Sequence, residues 1–160
     1  MLNEIRVYTD TFKGFWMDKA YRVPKGVVNG NERPDSLAAE TEPMHKMDVR
    51  SIFVSPEPET KVRMNSNNEI QGLAFDGGDG IKQVELSDDN GKTWKQAHLD
   101  PDLGRFSWRR WRMEWKPEHA GKITWMVKAT NIKGESQPLH QWNRSGYLRN
   151  EIEKLDLVVE

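Results

Sequence analysis

The sequence predicts an all-β sandwich of about seven strands. Short segments of alternating apolar and polar residues recur from Asp48 to the end, with Gly, Pro, Asn and Asp between them. No long stretch carries the apolar stripe of a helix. In order, the segments are "DVRSIFVSP", "EIQGLAF", "IKQVELS", "TWKQAHL", "RFSWRRWRMEW", "KITWMVKATN" and "KLDLVV". Side chains alternate across a strand, so "KITWMVKATN" sends Ile123, Trp125, Val127 and Ala129 to a buried face and Thr124, Met126, Lys128 and Thr130 to a wet one. Upstream, "EIRVYTD" reads as a further strand, and "FKGFWMDKAYRVP" is rich in aromatic residues. Lys25 to Lys46, dense in Gly, Asn, Pro and Glu, reads as an extended connector. The expected division is an irregular amino-terminal part over 1–46 and a sandwich over 47–160.

Composition narrows the function. A chain of 160 residues is long enough for one core of ordinary size. A formal charge of −1 supplies no general attraction to nucleic acid or to an anionic membrane. The absence of Cys removes disulfides, thiolate metal sites and cysteine nucleophiles. The opening "MLNEIRVYTD" is charged and alternating, unlike an export signal, and no apolar run long enough for a membrane helix follows. Seven Trp are many for one small core, so part of this aromatic surface is expected to seek a partner.

Individual motifs give mostly structural readings. Asp76, Asp79, Asp88 and Asp89 are hard oxygen donors, but neither Asp/Gly cluster has the 12-residue loop, closing carboxylate and flanking helices of an EF-hand. Asn90-Gly91 within "SDDNGKTW" is a hairpin signal, and the Asp residues are read as turn formers. "RFSWRRWRMEW" alternates Trp111, Met113 and Trp115 with Arg110 and Arg112. A core or interface strand is favoured there over a platform for stacked bases, because no wider basic surplus exists. His45, His98, His119 and His140 lack the close spacing of a metal motif.

Taken in order, "GLAFDGGDGIKQVELSDDNGKTWKQAHL", "GRFSWRRW", "VKATNIKGESQP" and "WNRSGYLRNEIEKLDLVV" resemble the carboxy-terminal dimerisation domain of the sulfite oxidase family of molybdenum-cofactor enzymes. "LNEIRVYTDTFKGFWMDKAYRVP" is similar to the close of that family's catalytic domain. The resemblance implies an immunoglobulin-like sandwich in a homodimer. It also implies a catalytic domain elsewhere in the enzyme that holds molybdenum on molybdopterin, oxidation of sulfite to sulfate, cytochrome c as electron acceptor, and a periplasmic location. Lacking the family's Cys ligand, this chain is expected to hold no cofactor and to be inactive alone.

The resemblance places Tyr21 beside the oxyanion, where its phenol would donate a hydrogen bond; the alternative is a packed aromatic with a satisfied hydroxyl. Arg144 stands one position early relative to W-N-L-R-G in animal and plant relatives, with Ser145 in the strict position. Arg144 is the expected oxyanion ligand, Arg149 its substitute, and an ordinary loop arginine the alternative. Trp108, Trp111 and Trp115 are the expected interface residues. A non-catalytic β-sandwich adhesion or assembly module is the competing reading of the whole chain.

Overall fold

A computed structural model describes residues 2–26 and 32–160 and divides the chain into two compact units. One comprises Met1–His45 with Trp142–Leu148, the other Lys46–Gln141 with Arg149–Glu160. Trp142–Leu148, assigned by sequence to the sandwich, thus contacts the amino-terminal unit instead.

In the first unit, a single π-helical turn at Trp16–Ala20 leads into β1 (Arg22–Pro24). This strand pairs antiparallel with β2 (Thr41–Pro43). The stretch expected as a connector therefore contains a strand that returns to its start; residues 27–31 of it lie outside the described residues. The strand expected at "EIRVYTD" is absent. Glu4–Thr9 pairs with nothing among the described residues, and Ile5 and Val7 are exposed, because alternation alone supplies no partner for backbone hydrogen bonds.

The second unit contains two sheets. Strands β3 (Arg50–Ser55), β5 (Asn68–Phe75), β9 (Arg109–Trp115) and β8 (His98–Leu99) form one in the order β3-β5-β9-β8. The other, ordered β4-β11-β10-β6-β7, contains β4 (Lys61–Val62), β6 (Ile81–Ser87), β7 (Lys95–Gln96), β10 (Gly121–Asn131) and β11 (Glu153–Val159). All pairings are antiparallel except β4 with β11. The sequence segment "TWKQAHL" is divided between the sheets as β7 and β8. The inward rows meet in one core that includes Ile70, Ala74, Val84, Leu86, Trp111 and Trp125. Gly72 lies opposite Trp111 in the β5–β9 register, and the indole occupies the space that a side chain at Gly72 would need.

A buried polar residue ties these sheets. Gln137 Oε1 accepts from the backbone N–H of Ser51 at 2.7 Å and of Ala129 at 2.9 Å, while its amide donates to the carbonyl of Glu151 at 2.9 Å. One side chain thus satisfies buried backbone N–H groups on β3 and β10 and a half-buried carbonyl beside β11.

Candidate functional site

The amino-terminal unit contains the two residues expected near an oxyanion. Tyr21 follows the π-helical turn and joins a row of rings: Phe15 meets Trp16 edge-on at 5.0 Å, Trp16 stacks on Tyr21 at 5.5 Å, and Tyr21 leans on Tyr147 at 5.6 Å between centroids. The Tyr21 side chain is exposed, unlike that of a fully packed core aromatic.

Arg144 stands in a tight loop. Asn143 shapes it by donating its amide to the Tyr147 carbonyl at 2.9 Å and accepting from the Ser145 N–H at 3.1 Å. Ser145, in the strict position for the family's arginine, donates its hydroxyl to the Arg22 carbonyl at 3.0 Å, a structural bond to β1. The guanidinium of Arg144 is held by Glu32. Arg144 Nη2 lies 2.6 Å from Glu32 Oε1, and Nε lies 3.1 and 3.2 Å from the two carboxylate oxygens. The Arg144 N–H donates to Oε2 at 2.9 Å and the Ala38 N–H to Oε1 at 2.7 Å. Nη2 also donates to the Ala38 carbonyl, and Nη1 makes no hydrogen bond among the described residues.

The Glu32 side chain is fully buried, so its carboxylate depends on these donors. They hold its pKa at about 2, chiefly through the Arg144 guanidinium and against the opposing effect of burial. Glu32 raises the pKa of Arg144 in return. Sequence reading missed Glu32. In "NGNERPD" it is one polar residue among several, and nothing local marks it as partner to an arginine 112 residues later.

Arg149 belongs to the sandwich unit and is paired there. Its Nε and Nη2 lie 3.0 and 2.7 Å from Glu151 Oε1, and its Nη1 is 3.8 Å from Glu153. Of the Trp residues expected at an interface, Trp108 is exposed and packs on Phe75 at 4.2 Å between centroids. Trp111 is buried at 1% exposure and meets Phe53 edge-on at 5.8 Å. Trp115 is half-buried, edge-on to Trp125 at 5.3 Å. Strand alternation thus points Trp111 and Trp115 into the monomer's core and leaves Trp108 on the surface.

The Asp-rich loops are occupied by the protein's own groups. Asp76 accepts from the N–H groups of Gly78, Asp79 and Gly80 and from the amide of Asn131. Asp79 pairs with Lys46 and, at 2.9 Å, with Lys133, which lower its pKa. Asp89 accepts from the hydroxyls of Ser87 and Thr93 and from the N–H groups of Lys92 and Thr93. These bonds depress its pKa below the ordinary carboxylate range, with Thr93 contributing most. Among the described residues no group of three or more His, Cys, Asp or Glu is placed to hold a metal, and the chain contains no thiolate. Its residues therefore do not fit the molybdenum-ligand set implied by the resemblance. No helix among the described residues is long and apolar enough to cross a membrane.

Comparison with known proteins agrees with this two-sheet architecture. Mitochondrial sulfite oxidase of Drosophila melanogaster is 26% identical over 136 residues, covering 76% of this chain and 24% of that protein. The chain spans about a quarter of that relative's length. The crystal structure of the sulfane dehydrogenase SoxCD from Paracoccus pantotrophus superimposes with a TM-score of 0.70 at 21% identity, covering 93% of this chain and 37% of that chain; it shows a shared fold. Residues 41–158 match the family described as the Mo-co oxidoreductase dimerisation domain. The chain belongs to that family of molybdenum-cofactor oxidoreductase dimerisation domains.

Proposed function

We propose that this chain is the self-associating carboxy-terminal part of a periplasmic molybdoenzyme that oxidises sulfite to sulfate and passes the electrons to a cytochrome c. The family match over residues 41–158 carries the reading, and the sulfite oxidase relative supports the sulfur-oxyanion substrate class. Molybdenum on molybdopterin belongs to a separate Cys-bearing domain of the same enzyme, since the residues here do not fit the metal. The contribution of this chain is to hold two copies together and to present Tyr21 and Arg144 at the substrate.

The state of Arg144 defines that contribution. Its ion pair with Glu32 has no net charge, so an oxyanion is held by a directed N–H from Nη1 more than by a free cation. The hydroxyl of Tyr21 supplies a second donor.

Reconstitution with the Cys-bearing domain tests the reading. The assembled protein is expected to contain molybdenum, to sediment as a dimer and to reduce cytochrome c when sulfite is added. Arg144→Ala and Tyr21→Phe should each raise KM for sulfite. A molybdenum-loaded assembly with no sulfite-dependent reduction sinks the substrate assignment. Failure of the two parts to associate returns the chain to an independent assembly module.

A further inference from the structure

A guanidinium grips an oxyanion best with two parallel N–H donors from one edge. Arg144 has no such edge to offer. Nε directs its single N–H at Glu32, and Nη2 donates both to Glu32 Oε1 and to the Ala38 carbonyl. Nη1 is the guanidinium nitrogen left without a hydrogen bond among the described residues. Backbone contacts hold this orientation. The Glu32 N–H donates to the Trp142 carbonyl at 2.6 Å, and the Arg144 N–H donates to Glu32 Oε2 at 2.9 Å. Turning the fork outward would strand a carboxylate whose side chain has no exposure, whereas the Arg144 side chain is 35% exposed.

We propose that Glu32 is a positioning residue that makes this site select singly charged sulfur oxyanions, such as hydrogensulfite, over doubly charged ones. The proposal rests on the reading of Arg144 as an oxyanion ligand and adds the ionic form that it takes. Coulomb energy grows in proportion to the ligand's charge, so an uncompensated guanidinium would reward a dianion more than a monoanion at the same distance. Glu32 stands against the guanidinium as its ion-pair partner among the described residues and cancels most of that reward. What survives is the directed N–H of Nη1, which reaches one oxygen and depends on geometry more than on total charge. A dianion also gives up more hydration than a monoanion on leaving water, and a neutral ion pair does not repay the difference.

Sulfate and methanesulfonate test this, because both present oxygens on tetrahedral sulfur and they differ in charge. Calorimetry on the chain assembled with its Cys-bearing domain measures each anion at neutral pH and fixed ionic strength. Heat that disappears in Arg144→Gln identifies binding at this residue. The wild-type assembly is expected to bind methanesulfonate at least as tightly as sulfate. Glu32→Gln should shift the preference several-fold toward sulfate, and Glu32→Asp, which keeps the charge, should retain the wild-type preference, with circular dichroism verifying each fold. Comparing two anions in each protein cancels any general loss of affinity, so a merely structural role for Glu32 leaves their ratio unmoved. Wild type that favours sulfate several-fold, or a ratio that Glu32→Gln leaves unchanged, overturns the role of Glu32 while Arg144 remains the oxyanion ligand. No Arg144-dependent binding of either anion overturns both.

Discussion

Glu32 and Arg144 are separated by 112 residues in sequence, yet their carboxylate and guanidinium meet at 2.6 Å. The buried carboxylate also accepts the backbone N–H groups of Ala38 and Arg144, so it joins three stretches of the amino-terminal unit. Its folded pKa of about 2 lies below the ordinary value of 4.5. A depressed carboxylate contributes stability that is complete above its unfolded pKa and is lost as pH falls through the folded one. The wild-type unit should therefore lose stability from near pH 4.5 down to about 2. Glu32→Gln should flatten that part of the profile and lower the melting temperature at neutral pH. Thermal melts across the acid range check this; identical acid limbs would remove Glu32 as the cause.

Gly72 should tolerate no side chain. A Cβ there would lie 2.1 Å from Trp111 Cζ2 and 2.2 Å from the Ile52 carbonyl oxygen, and the backbone atom cannot swing aside. Gly72→Ala is expected to cost at least about 1–3 kcal/mol through overpacking. Trp111→Ala, which empties the same site, should cost about 3–5 kcal/mol. Urea titration measures both, and a neutral Gly72→Ala would contradict this packing.

Gln137→Leu should destabilise by about 2–4 kcal/mol, because it strands two buried backbone N–H groups and a carbonyl. The substitution preserves much of the volume, so the loss reports the hydrogen bonds. Faster hydrogen exchange at Ser51 and Ala129 is the local readout. Unchanged protection at those amides would show that another group satisfies them.

Added calcium should leave the melting temperature unchanged. The Asp76 carboxylate is filled by backbone N–H groups, and two lysines neutralise Asp79. A cation specific to the folded state would raise the midpoint by mass action. A calcium-dependent rise that Asp79→Ala abolishes would establish a site. Gly91→Val, by contrast, should destabilise at any calcium level, since φ is 80° there and a β-branched residue resists it.

The sandwich was legible wherever a residue's fate depends on its immediate neighbours. Alternation marked the inward row of β10, and Asn90-Gly91 marked the hairpin, because pleat and turn are local. Alternation failed at Met126, whose outward position is covered by a hairpin from another strand. It failed again at "EIRVYTD", where an extended pattern found no partner among the described residues. The family resemblance singled out Arg144 and Tyr21, but Glu32 and Gln137 were invisible. Their importance comes from groups distant in sequence, and a lone Glu or Gln in a polar stretch gives no periodic signal. Trp111 and Trp115 lie on a strand whose alternation fits core or interface equally; in the monomer Trp111 is buried and Trp115 is half-buried against Trp125.

Three of the four sheet edges in the sandwich end in strands of only two residues, β4, β7 and β8. The fourth, β3, breaks register between Phe53 and Ser55. Such margins offer an incoming strand too few aligned amide and carbonyl groups to extend the ladder. Encounters between molecules are therefore steered away from open-ended fibre growth along the sheet edges.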